Sequence, residues 1–304
     1  MNSRVQSLKA FLGSAGRVAL VEVAGTKGST PREKGAFMLV SQTAIFGTIG
    51  GGQLEYMAID KARQMVSPSG RTVQVNRLQP SRIEVDEVCA TLDVPLGPEI
   101  GQCCGGRVEV LIRLVDAALE AEMIRTAEAE EAHLPHVYIF GGGHVGQALA
   151  STIALLPVHG VVIETRAEAL EGMPETVETR LTPMPEAMVR DAPAGTAFAI
   201  LTHDHALDFM IVAEALKRDD TAYVGMIGSK TKKATFKNWF LKSTDGSEAE
   251  FARLVSPIGG DAVKDKRPPV IAALAAAEIM TALVTHAAVS NASHHAPHDK
   301  VMVD

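Results

Sequence analysis

The segment His136-Val137-Tyr138-Ile139-Phe140-Gly141-Gly142-Gly143-His144-Val145-Gly146 constrains this chain more than any other. It sets G-x-G-x-x-G at the end of a strand-like run and at the start of a helical pattern. In that context each glycine has a job. Gly141 allows the tight turn, Gly143 lets backbone amides approach a phosphate, and Gly146 lets helix and strand pack closely. The helix N-terminus that follows offers unpaired N–H groups and partial positive charge to an anion. Glu164 ends the next strand roughly 20 residues on, where an acidic group could accept hydrogen bonds from ribose hydroxyls. A nucleotide such as NAD(P) is one occupant this pattern suits. The same glycines would equally serve a tight turn in a fold that has lost its nucleotide.

Beyond the motif, strands alternate with helices: Gly160 to Glu164, Thr196 to Thr202, helix Leu207 to Arg218, strand Thr221 to Ile227. That order implies βαβ units on a parallel sheet, a Rossmann-like domain over residues 136–289. The first half reads differently. Val5, Leu8, Phe11 and Leu12 recur at helical spacing before a strand at Arg17 to Ala24, and strand-like runs follow at Gly35 to Val40 and Thr43 to Ile49. After them come a helix from Leu54 to Val66 and strands at Val73 to Leu78 and Arg107 to Val115. The expected class is α/β, an N-terminal α+β domain over residues 1–115 followed by the Rossmann-like domain. The Ala- and Glu-rich stretch within residues 116–135 reads as a connecting helix, and residues 290–304 as a mobile tail.

Bulk properties narrow the function classes. A net charge of -7 supplies no basic field for phosphate backbones, so nucleic acid is not an expected partner. The start MNSRVQSLKAFLGSAG has no long apolar core with a cleavage site, which predicts no export signal and a cytoplasmic protein. Val270 to Val289 is apolar but carries Glu278, Thr281 and His286, and is expected to pack inside the protein rather than in a membrane. Cys89, Cys103 and Cys104 are the only cysteines, too few for a disulfide framework.

Four further constellations could carry chemistry. Thr48-Ile49-Gly50-Gly51-Gly52-Gln53-Leu54-Glu55 also follows a strand and precedes a helix, so its amides could cradle an oxyanion; a turn needing positive φ is the plainer reading. Gly101-Gln102-Cys103-Cys104-Gly105-Gly106 puts adjacent thiols in a glycine-flanked loop, where a thiolate could ligate a soft metal or accept sulfur as a persulfide. Cys89 has no such context and reads as structural. His203-Asp204-His205 with Asp208 follows a strand at the ligand-holding edge, but its spacing favours substrate contacts or helix capping by Asp204 over metal. Ser229 and Lys230, with Lys232 and Lys233, sit after the next strand and could meet a phosphate, or could simply be a solvated helix start. His294, His295 and His298 could bind metal adventitiously.

Taken together, GSTPRE at Gly28 to Glu33, GTIGGGQLE at Gly47 to Glu55, CCGGRVEV at Cys103 to Val110, FGGGHVGQALA at Phe140 to Ala150, THDHALD at Thr202 to Asp208 and YVGMIGSK at Tyr223 to Lys230 resemble the XdhC/CoxI family. SPIG at Ser256 to Gly259 and AEI at Ala277 to Ile279 extend the resemblance, which covers about residues 3–285. It implies a xanthine dehydrogenase accessory protein of purine catabolism: a chaperone, not a catalyst, that binds the molybdenum cofactor (molybdopterin), supports its sulfuration and delivers it to the apo-dehydrogenase. The implied partners are apo-xanthine dehydrogenase and a cysteine desulfurase, and the implied assembly is a homodimer. Cys104 matches the family's C-G-G cysteine and is the residue expected at the metal. Cys103 falls at a variable position. Gln53 stands where many CoxI-type relatives carry cysteine, and GDAVKDKRPPVIAAL after Gly259 departs from the usual pattern. The expected binding set is Gly50, Gly51, Gly52, Cys103, Cys104, Gly141, Gly143, His144, Gly146, Glu164, His203, Ser229 and Lys230, with the cofactor between the two domains. Two rivals remain: an NAD(P)-dependent oxidoreductase using Gly141, Gly143, Gly146 and Glu164 with His203 or Cys104 near substrate, and a scaffold whose Rossmann fold is vestigial.

Overall fold

The structure, a computed structural model, describes residues 3–67, 83–85, 89–97 and 105–294. Two units divide it, Asn2–Glu131 and Ala132–Asp304.

In the N-terminal unit, strand alternation sorts side chains onto the two faces of one antiparallel sheet. Its strands are β1 (Ala19–Lys27), β2 (Phe37–Val40), β3 (Ile45–Gly47), β4 (Ile83–Val85), β5 (Cys89–Pro95) and β6 (Arg107–Leu114), in the order β3-β2-β1-β6-β5-β4. Ala19, Val21, Val23, Val108, Val110 and Ile112 fall on one face. Helix α2 (Gly52–Val66) covers it with Leu54, Ala58, Ala62 and Val66, a row at i, i+4, i+8 and i+12 that makes a single apolar stripe. On the opposite face, Leu20 and Leu39 meet Leu8 and Leu12 of α1 (Arg4–Ser14), and Leu119, Met123 and Ile124 of α3 (Ala117–Ala132) join them. The helix within residues 116–135 therefore packs on this unit by one side. Strands β4 and β5 have no counterpart in the sequence reading, and the strand read at Val73 to Leu78 lies outside the described residues. Cys89, a free thiol, opens β5 half-buried.

The C-terminal unit is a Rossmann domain. Strands β7 (His136–Phe140), β8 (His159–Glu164), β9 (Glu178–Leu181), β10 (Ala197–Ile200), β11 (Tyr223–Met226) and β12 (Leu254–Val255) all pair in parallel, in the order β12-β11-β10-β7-β8-β9. Counted from β7, that is the doubly wound 3-2-1-4-5-6 order, and its switch point lies between β7 and β10. The central strands are buried on both faces, which is why β7, β10 and β11 read as continuous apolar runs. Helices α4 (His144–Ile153) and α9 (Pro268–His294) cover one face. The other carries α5 (Pro185–Arg190), α6 (His205–Lys217) and α7 (Lys230–Ser243), with α8 (Glu248–Ala252) beside them. Helix α9 packs through Ala272, Ala275, Ala276, Ile279 and Leu283, one face only. Pro268–Ser290 is long and apolar enough to cross a membrane by length and composition, and Val284 on its other side is exposed. The helix runs to His294, into the stretch read as a tail.

Candidate functional sites at two glycine loops

In the N-terminal unit the loop after β1, Gly28 to Gly35, is the surface on which two other loops rest. A side chain at Gly106 would overlap the Ser29 carbonyl oxygen, and one at Gly50 would come within 2.8 Å of the Pro31 ring. So the stretch that follows Cys103-Cys104 and the stretch Thr48 to Gly52 are both seated on GSTPRE. Cys103 and Cys104 themselves lie outside the described residues. Gly50, Gly51 and Gly52 all have φ in the left-handed region, at 121°, 77° and 68°, which only glycine adopts without strain.

The amides of that loop already have an anion. Glu55, in the first turn of α2, accepts hydrogen bonds from the Thr48 hydroxyl at 2.5 Å and from the Ile49 and Gly51 amides at 3.0 Å each. Burial alone would raise the Glu55 pKa, but the Thr48 hydroxyl and the Gly51, Ile49 and Gly50 amides outweigh it and hold the carboxyl below its ordinary value. An oxyanion bound here would take the place of the Glu55 carboxylate.

At the switch point of the C-terminal unit, Gly141 lies so close to β10 that a side chain there would meet the Leu201 carbonyl oxygen at 2.7 Å. A side chain at Gly146 would overlap the Gly141 carbonyl oxygen, so helix α4 can start this close to β7 only with glycine there. Gly143 is the N-cap of α4 and offers no capping side chain. It and His144 are exposed, which leaves the positive end of the helix facing solvent.

Glu164 is placed differently from an open ribose acceptor. It is 4% exposed and accepts from the Gly142 amide at 2.9 Å, the Thr165 amide at 2.8 Å and the Arg166 guanidinium at 3.2 Å. Burial would raise its pKa; the Arg166 hydrogen bond, the Gly142 and Thr165 amides and the Arg166 charge reverse this and bring it to about 2. Its carboxylate is an internal brace for the glycine loop.

A second brace joins the next two loops. Asp208 is fully buried and accepts from the Thr202 amide at 3.0 Å and the Thr202 hydroxyl at 2.6 Å. Its other oxygen pairs with Lys232, which also donates to the Ile227 carbonyl at 3.0 Å. The pair thus ties the end of β10 to the end of β11. Sequence reasoning left Lys232 between a phosphate contact and a solvated helix start, and Asp208 beside a weak metal pattern. Only the parallel pairing of β10 and β11 brings these residues, 24 apart, together. Asp204 caps α6 by accepting from the Ala206 and Leu207 amides, leaving His203 and His205 exposed. Among the described residues no group of three or more His, Cys, Asp or Glu side chains could hold a metal. Ser229 caps α7 through the Lys232 amide, and Lys230, 86% exposed, pairs with Asp261 at 3.4 Å.

The two halves match two family models. The one described as XdhC and CoxI family covers residues 12–76, and the one described as XdhC Rossmann domain covers residues 137–279. The chain belongs to the XdhC and CoxI family. An uncharacterized Escherichia coli K12 protein, YqeB, is 26% identical over 272 residues, 86% of this chain and 43% of that protein, so the chain spans less than half the length of that relative. A crystal structure from Bacillus halodurans described as a xanthine dehydrogenase has the same fold, with a TM-score of 0.73 at 18% identity over 93% of this chain and 96% of that one.

Proposed function

We propose that this chain acts in xanthine dehydrogenase maturation by holding the molybdenum cofactor as cargo, supporting its sulfuration and passing it to the apo-enzyme. Membership of the XdhC and CoxI family is the observation that carries this reading, since the family is associated with that maturation. The loops suit the cargo chemically. Gly143, His144 and the α4 N-terminus, held open by Gly141 and Gly146, suit a phosphate. The amides of Gly50 to Gly52 suit an oxyanion once Glu55 gives way. His203, Ser229 and Lys230 are exposed at the same sheet edge as Gly143 and add donors there. Cys104 is the group proposed at the metal, as a ligand or as a sulfur carrier, with Cys103 beside it. When bound, the cofactor brings the dithiolene-held molybdenum that the client enzyme uses. A cysteine desulfurase and the apo-dehydrogenase are the proposed transient partners, the cytoplasm the proposed location and a homodimer the proposed assembly.

Mixing the purified chain with molybdenum cofactor, desalting, and oxidising the protein fraction to the fluorescent pterin derivative tests this. Retention near one cofactor per chain, reduced in Cys104→Ser, is expected. Retention no greater than that of an unrelated protein would overturn it. The rival, an NAD(P)-dependent oxidoreductase, has the doubly wound strand order in its favour and the engaged state of Glu164 against it. Titration with NAD and NADP decides between them, since only the oxidoreductase requires tight dinucleotide binding with hydride transfer.

A further inference from the structure

The sheet face under α1 and α3 breaks its own pattern. Alternation puts Leu20 and Leu39 there as core, yet Glu22 of β1 and Arg113 of β6 share that face, two charges where a covered sheet calls for apolar side chains. They border a cavity of about 230 Å³ whose walls include Leu8, Phe37, Phe46 and Met123. Arg113 donates through Nη2 to Glu22 at 3.3 Å, and both side chains stay partly exposed beside the cavity. A guanidinium, which carries five N–H donors, and a carboxylate acceptor therefore stand side by side on an apolar, partly aromatic hollow. Small-molecule sites have this composition, and a volume below about 300 Å³ suits a bare ring better than a whole nucleotide. Charge agrees: Glu22, Glu122 and Glu130 line the cavity against Arg4 and Arg113, an excess of carboxylate that disfavours a phosphorylated ligand.

We propose that this cavity binds a flat, uncharged heterocycle with a lactam edge, an N–H beside a C=O, as oxopurines and pteridinones carry. Arg113 donates to the ring carbonyl, Glu22 accepts from the ring N–H, and Phe37 and Phe46 supply apolar surface for the ring. The site is separate from the cofactor-holding loops, so its failure leaves the cofactor-retention experiment untouched.

Calorimetric titration of the full chain with hypoxanthine and with pterin tests it. Saturable binding at one ring per chain is expected, and the tighter of the two names the source of the ligand. 6-Methoxypurine keeps the bicycle but has no lactam N–H, and Arg113→Met removes the donor. Each should weaken binding at least about tenfold, the loss expected for a charge-assisted hydrogen bond. The analogue is read on the unaltered protein, so a misfolded variant cannot mimic success. The proposal is overturned if neither ring saturates, or if 6-methoxypurine binds as tightly as hypoxanthine.

Discussion

The loop at Gly50 to Gly52 and the loop at Gly141 to Gly146 both join a strand to a helix, and in each a glutamate takes backbone amides that an outside anion could otherwise claim. They differ in what stands behind the glutamate. Glu55 comes from the loop's own helix, is half-buried, and is held by a hydroxyl and amides alone. Glu164 comes from the neighbouring strand, is 4% exposed, and is neutralised by Arg166. A carboxylate held by neutral donors near water can be exchanged for another anion, whereas one buried against a guanidinium is structural. The N-terminal loop is thus the convertible one, and the C-terminal loop is fixed, with its spare binding capacity at the exposed start of α4.

The largest test of that contrast is in the C-terminal braces. Asp208→Ala strands the Lys232 ammonium in the interior and should cost about 3–5 kcal/mol, read by denaturant unfolding of the full chain. A midpoint unchanged from the parent would show that the Rossmann loops do not depend on buried charge. Next in size is Gly146→Ala, whose new methyl overlaps the Gly141 carbonyl oxygen; a cost of about 1–3 kcal/mol follows from overpacking. Gly143→Ala, at φ -69° with nothing nearby, should stay within about 0.5 kcal/mol. In the other loop Gly51→Ala also meets open space, but at φ +77° it should cost about 1–2 kcal/mol from backbone strain alone. Thermal melting of the three variants separates steric from conformational demand.

Much of this architecture was legible because local and global signals agreed. The β7-glycine-α4 motif, the alternating strands and helices after it, and the strand and helix runs of the first half other than Val73 to Leu78, which lies outside the described residues, coincide with observed elements. Glu55 and Glu164 were singled out at the right places, yet their roles were not legible. Periodicity locates a carboxylate at a helix start or strand end; it does not say whether that carboxylate faces a ligand or turns back onto its own loop. Asp208 and Lys232 were harder still, since their pairing depends on the register of β10 against β11. Glu22 and Arg113 carried a signal that could have been read, two charges at positions that alternation assigns to a covered face. Strand β5, CATLDVP, carries Ala90, Asp93 and Pro95, residues of weak strand preference, which is why pattern reading passed over it.

Acid titration supplies the smallest and most discriminating comparison. Both glutamates have pKa values lowered on folding, so each adds stability that is present above the ordinary value of 4.5 and is lost as pH falls. For Glu164 the loss spans the window from 4.5 down to about 2. Glu164→Gln should therefore flatten the dependence of melting temperature on pH below about pH 5, relative to the parent, while lowering stability at neutral pH. Glu55→Gln should do the same more weakly, by about 0.5–1 kcal/mol at neutral pH, because neutral donors near water give up less when the charge goes. The difference between each variant and the parent cancels the other carboxyls that titrate in the same range. If Glu55→Gln flattened the profile more than Glu164→Gln, the assignments would be exchanged: the N-terminal loop would be the fixed one, and an incoming oxyanion would have to compete at the Rossmann loop instead.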